Sequence, residues 1–216
     1  MKTVKYIILG VILSSLVISS FSFSPSGKSF SQEGRVSFCE TYTQQELTSN
    51  LDPDERFFTL VQMENTDPES SRIGTCKEDD LNTLWNYVKS ETFRTKLPED
   101  LLIVAGAENS GPETPLYAIR KSASKNLFPS QKDIEEVGIK QDSQANYALL
   151  ISFSRSGAEK WATITKKNRG RDIAILLDGR VIAAPRVTEE IKGGKCSISG
   201  SYTEAEIKQL KAKLEN

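Results

Sequence analysis

Histidine is absent from the 216 residues. The usual general base near neutral pH and the commonest metal ligand are therefore both missing. There is no basic excess either: 28 Lys and Arg stand against 29 Asp and Glu, which disfavours nucleic-acid binding. Cysteine is scarce, with Cys39, Cys76 and Cys196 only, and no pair has zinc-ligand spacing. No internal repeat and no long run of like charge occurs. Gly193-Gly194 is not followed by the Lys-Ser/Thr of a phosphate loop, so it reads as a turn.

The one long apolar run lies at the start. Lys2 and Lys5 precede Tyr6–Ile18, which is broken by Gly10 and Ser14-Ser15, and Ser20-Phe21-Ser22 has the small-x-small pattern of a cleavage site. Residues 1–22 read as a signal peptide. The alternative is an uncleaved anchor, since Tyr6–Phe23 is at the lower limit for a bilayer span. No Cys follows, so lipoprotein processing is not expected. The leader holds two basic residues and no acid, leaving the rest at a net charge of −3. Residues 23–34, rich in Ser and Gly, read as a tether.

Beyond it, Arg35–Tyr42 and Arg56–Met63 read as strands, with Glu64–Ser71 as polar loop. Asp79 or Asp80 would cap a helix whose apolar residues Leu81, Leu84, Trp85 and Val88 share one face. Leu101–Ala107 and Leu116–Arg120 read as a hairpin. Ser130 would cap a short helix through Glu136, stopped by Gly138. Ala148–Phe153 is a strand. A helix follows from Ser154 or Ser156 to Gly170, with Ala158, Trp161, Ala162 and Thr165 inward. Asp178-Gly179 between two apolar runs is a strong hairpin signal. Cys196 sits in an alternating strand, and Thr203 with Glu206 has capping-box spacing before Ile207, Leu210 and Leu214. The expectation is an α+β fold: a mixed or antiparallel sheet with helices on one face, preceded by a small strand-rich portion.

Catalytic patterns are weak. Ser122-Ala-Ser-Lys125 has S-x-x-K spacing but lacks the S-D-N and K-T-G partners. The acidic pairs near Asp79, Glu135 and Glu189 read as solvated or helix-start residues, and Asp178 as a turn residue. Cys39 and Cys76 lie in the polar half and would be the pair to bridge in an oxidising compartment; the alternative is three free thiols.

An ordered set of short elements carries a family resemblance: Gly157-Ala158, Thr165 with Asn168, Ala174-Ile175 with Asp178-Gly179, Pro185, Gly193-Gly194 and Ile198-Ser199-Gly200. This set resembles the head of the first periplasmic domain of SecD, an accessory subunit of the bacterial Sec export machine. Upstream, Lys96–Leu101, Leu116–Ile119 and Asp133-Ile134 look like the fused SecDF proteins of Bacteroidetes-type bacteria. Phe38, Glu40, Thr41 and Tyr42 resemble a Phe-Trp-Glu-Thr-Tyr element, with Cys39 at the Trp position, a departure that points to a newer role for Cys39 such as the bridge to Cys76.

The resemblance implies a ferredoxin-like head at 98–216, after an N-terminal portion at 35–97. It implies a periplasmic or envelope location, or an inner-membrane anchor if the leader stays uncut. It also implies a non-enzymatic role without cofactor or nucleic acid, touching exported polypeptides or the translocon. No later apolar span and no Asp-Leu-x-Gly-Gly element is present, so the chain is not expected to harness a proton gradient by itself. A structural or assembly module reusing the fold for an unrelated partner is the alternative.

Overall fold

The structure, a computed structural model, describes residues 36–53, 55–64, 67–107, 111–121, 127–141, 146–200 and 202–215. The leader, the tether and the Ser122/Lys125 pattern lie outside them. The elements run β1 (Val36–Glu40), α1 (Gln44–Thr48), α2 (Phe57–Leu60), β2 (Gln62–Met63), β3 (Arg72–Lys77), α3 (Leu81–Lys89), α4 (Glu91–Arg94), β4 (Leu101–Ala105) and β5 (Glu113–Arg120). They continue as β6 (Ile134–Gln141), β7 (Tyr147–Phe153), α5 (Arg155–Lys167), β8 (Ile173–Leu177), β9 (Arg180–Ala183), β10 (Lys195–Ser199) and α6 (Glu204–Glu215). Short 3-10 turns precede α3 and β6.

The fold is α+β, and its strands pair antiparallel in three sheets ordered β1-β8-β9, β10-β7-β6 and β2-β3-β5-β4. A Ser37–Ser130 bridge links β1 to the segment entering β6. The first two sheets thus lie side by side at that bridge, with β9 and β10 as their far terminal strands. Phe38, Phe153 and Trp161 meet edge-on or tilted at 5.4–5.5 Å and tie β1, β7 and α5 together. Each such contact adds about 0.5–1.5 kcal/mol beyond area burial. Ile207 and Leu214 of α6 complete this core.

A second core holds Leu47, Phe57, Ile73, Leu84, Phe93, Leu101 and Leu116, between the four-stranded sheet and α1–α4. Residues on both sides of position 97/98 share it. A third, smaller core lies between the two layers, where Val104, Tyr117 and Ile119 meet Cys39, Ala174, Leu176 and Val181. That explains why Ile173–Leu177 is apolar without alternation: β8 is buried on both faces.

Several elements differ from expectation. Arg56–Met63 forms α2 and the two-residue β2 rather than one strand. Phe57 and Val61 are both buried, and Val61 N–H bonds the Phe57 carbonyl at 2.9 Å, so a short apolar run has taken helical spacing. Asp80 precedes α3 without a side-chain cap, because residues 78–80 already form a 3-10 turn. The segment after Ser130 turns only through Asp133 before becoming β6, where Gly138 pairs with Leu150. Buried Asp133 ends that turn by accepting from Ser130 N–H at 2.9 Å and from Lys160 at 2.8 Å. β3 carries no strand pattern in the sequence because Gly74 sits at its centre with φ +146°, and a side chain there would overlap the Gln62 carbonyl. Helix α5 is capped by Ser154, which accepts from Gly157 N–H at 3.3 Å, and not by Ser156.

Gly157 presses α5 onto the chain entering β6. A Cβ there would stand 2.9 Å from Asp133 Cβ, the Asp133 carbonyl and Phe153 Cβ. Alanine normally stabilises a helix interior by about 1 kcal/mol over glycine. Here overpacking against backbone outweighs that gain, and Gly157→Ala is expected to destabilise by about 1–3 kcal/mol in a urea melt.

Candidate functional site

Polar contacts from residues 167–172, at and just beyond the end of α5, hold the layers in register. Lys167 Nζ and Asn168 Nδ2 reach Glu40 of β1 at 2.8 and 3.1 Å. Arg171 forks onto Glu46 of α1 at 3.1 and 2.6 Å. Asp172 is 5% exposed and accepts from Ser71 N–H at 2.7 Å and from Arg186 Nε at 2.9 Å. Its own carbonyl accepts from the Thr41 hydroxyl at 2.8 Å. Burial pushes the Glu40 carboxyl up, but hydrogen bonds from Lys167 and Asn168 outweigh it and hold the group below its ordinary range. Glu46 is likewise lowered: burial opposes, and the Arg171 guanidinium and Thr43 N–H prevail.

This seam fixes one wall of an open cleft of about 940 Å³. Ser70–Arg72, Ala107 and Tyr117 form that wall, and Glu206, Gln209, Leu210 and Lys213 of α6 form the opposite one. Between them lie the β9 end, Ile182–Pro185, and the β10 end, Ser197–Gly200. Both are terminal strands of their sheets. Phe153 N–H bonds the Gly194 carbonyl at 2.8 Å, which sets the phase of the β7–β10 ladder. By antiparallel alternation the backbone groups of Lys195, Ser197 and Ser199 then point away from β7. The Lys195 carbonyl indeed accepts from Trp161 Nε1 at 3.2 Å on that side. Ser197 and Ser199 present theirs to the cleft.

Of the positions singled out in the sequence, Pro185 and Gly200 line this cleft. The others build the frame. Gly157 seats α5, and Asn168 closes it, with Nδ2 on the Ile164 carbonyl at 2.9 Å. Asp178 and Gly179 form the β8–β9 turn with φ of 53° and 78°, as a two-residue hairpin requires. Gly193 and Gly194 make the turn into β10.

The Cys39–Cys76 bridge does not form: all three cysteines are free and buried. Thr41 bridges Ile119 of β5, whereas Cys76 pairs with Thr114. Those points are roughly 17 Å apart along the strand, and a disulfide spans less than about 7 Å between Cα atoms. Burial pushes the Cys39 and Cys196 thiols up to about 12 and Cys76 up to about 11, so none is a ready nucleophile. Among the described residues no His/Cys/Asp/Glu cluster suits a metal, and no helix is long and apolar enough to cross a membrane.

Residues 117–216 match the family model for the SecDF P1 head subdomain. That stretch is 100 of the 216 residues and is similar to that subdomain. SecD of Acidaminococcus fermentans is 34% identical over 119 residues, which is 52% of this chain and 28% of that protein. SecD of Sebaldella termitidis is 39% identical over 86 residues, 38% of this chain and 21% of that protein. The chain therefore spans about a quarter of the length of these curated relatives. Among solved structures, a chain of the membrane component SecDF that enhances protein export aligns with a TM-score of 0.45 at 20% identity, covering 85% of this chain and 63% of that one. SecD and SecDF are protein-export components and not an enzyme family.

The stretch similar to the P1 head contributes β9, β10 and α6 to the cleft, while Ser70–Arg72 and Ala107 precede it. The cleft therefore exists only where that stretch meets the layer before it. Asp172→Ala would orphan the Ser71 N–H, which is buried, and Arg186, which is a third exposed and can rehydrate. The expected loss is about 2–3 kcal/mol, read as a lower urea midpoint. The lowered carboxyls of Glu40 and Glu46 give the pH sign: their contribution is present above their ordinary value of 4.5 and is lost as pH falls through their lower folded values. Melting temperature should stay level from neutral pH to about 5 and fall below about 4.5, more shallowly in a Glu40→Gln/Glu46→Gln double variant.

Proposed function

We propose that the chain is a non-enzymatic module of protein export, acting in the periplasm or cell envelope, whose cleft holds an extended segment of an exported polypeptide. The observation that carries this reading is the pair of terminal strands bordering the cleft, with the Ser197 and Ser199 backbone turned into it. A free strand edge is a row of donors and acceptors whose natural complement is another extended backbone. Such pairing is indifferent to sequence, which suits a protein meeting many different clients. The SecD and SecDF likeness supplies the client class.

The energetics suit passage rather than storage. Two to four backbone bonds contribute about 1 kcal/mol each, before the cost of ordering the segment. Leu210 adds apolar contact, and the small side chains of Ala183, Ala184 and Ser199 leave room for those of the guest. Weak, reversible binding follows.

The test is a fluorescence titration with a labelled ten-residue peptide alternating Val and Thr. Ser197→Pro removes one edge donor and places a ring in the guest's path, yet proline is tolerated on an edge strand. Affinity is expected to fall roughly tenfold with the melting temperature kept, since one lost bond and the steric block together exceed about 1.4 kcal/mol. Ser197→Ala keeps the donor and should bind as the parent does. Absence of binding by the parent protein, or equal binding by the Pro variant, would overturn the edge-pairing reading.

A further inference from the structure

Neither backbone geometry nor crowding asks for glycine at position 138. It lies mid-strand in β6 without a positive φ, and a Cβ there would meet only Leu150 Cβ, at 3.9 Å, an ordinary contact. Glycine inside a strand weakens it. Its effect here is to leave Leu150 bare. Gly138 of β6 and Ser197 of β10 are the cross-strand partners of Leu150 on its two sides. Leu149 and Ile151 point into the core under α5 and α6, so Leu150 points to the opposite face, where it is 38% exposed. Among the described residues only Leu127 is a more exposed large apolar side chain.

The row Gly138–Leu150–Ser197 ends at the cleft. Ser197 is exposed, shares a face with Leu150, and has its backbone turned from β7 into the cleft. Its pairing with Leu150 is therefore the close, non-hydrogen-bonded kind, with Cα atoms about 4.5 Å apart. An antiparallel guest residue opposite Ser197 would exchange both backbone bonds with it at a Cα spacing of about 5.5 Å. The guest Cα then stands about 10 Å from that of Leu150, with only a serine side chain between them. Val or Thr at that guest position is too short to cross the gap. An aromatic side chain lies over Ser197 and reaches Leu150. The neighbouring residues of β7 on that face, Ala148 and Ser152, are small and leave room for the ring.

We infer that Leu150 and Ser197 form a side-chain subsite beside the β10 edge, and that it takes an aromatic residue of the extended guest at the position paired with Ser197. This rests on the edge-pairing reading above and deepens it. Backbone bonds hold any extended segment, and the subsite favours those with an aromatic residue in the paired position. Ser197 is the low floor and Leu150 the apolar wall. Gly138 leaves the far flank of that wall uncovered, so the guest, and not a neighbour in β6, buries the leucine surface.

The test uses the full chain and two labelled ten-residue peptides, alternating Val and Thr, that differ only in a central Phe or Ala. Titration should show the Phe peptide binding roughly three- to fivefold tighter, the worth of one aromatic cross-strand contact. Leu150→Thr keeps a strand-forming residue and should remove the difference, with the Ala peptide bound as before. Ser197→Val keeps both backbone bonds but fills the floor, and should also remove the difference. Thermal melts check that both variants fold. With the parent protein, a photoreactive phenylalanine analogue at the central peptide position should label the β7 segment Tyr147–Phe153. Equal affinity of the parent for both peptides, a Phe preference that survives Leu150→Thr, or labelling confined to other segments overturns the subsite while leaving edge pairing standing. No binding of either peptide by the parent overturns the subsite together with the reading it rests on.

Discussion

Burial of β8 on both faces is the constraint on which the rest of the molecule depends. Ile173, Ile175 and Leu177 belong to the core under α5 and α6, and Ala174 and Leu176 to the small core shared with the four-stranded sheet. A strand apolar on both sides has no solvent face to offer, so the two layers must close on it. Removing either layer would expose one half of its side chains. The polar seam at residues 167–172 adds what burial lacks, which is direction. Apolar contact is tolerant of sliding, whereas a forked Arg171–Glu46 pair and the Asp172–Ser71 bond accept only one register.

That division of labour explains where the cleft lies. The layers are glued along β8 and pinned at the end of α5, and they diverge beyond the β9 and β10 ends. β9 and β10 each end a sheet, and residues of both line the opening. In many folds an open edge is a liability to be covered. Here α6 and the Ser70–Arg72 wall leave it reachable from solvent while limiting what can approach.

Much of the frame was legible in the sequence where local chemistry decides the structure. Asp178-Gly179 demanded a two-residue hairpin, Thr203 with Glu206 demanded a helix start, and the Cys196 strand showed its alternation. Trp85 and Trp161 fell on buried helix faces as their spacing required. What was hidden depends on distant partners. Gly74 makes β3 look like a loop until Gln62 is seen against it. Phe57–Val61 fits either periodicity until the second core selects the helix. Asp172 looks like an ordinary strand-start acid, and its role follows only from Ser71, 101 residues earlier. The cleft is hidden for the same reason: its walls come from four separate stretches of chain, and no short pattern marks them.

All the pins of the seam lie within six residues at and just beyond the end of one helix, after Trp161 has been locked in the aromatic cluster. Helix α5 therefore works as a ruler between core and seam. Each residue of an α-helix advances about 1.5 Å and turns about 100°. Changing the helix length by one residue would swing Asn168, Arg171 and Asp172 together away from Glu40, Glu46 and Ser71. The side chains along the exposed face of α5 are free to vary, but their number is not.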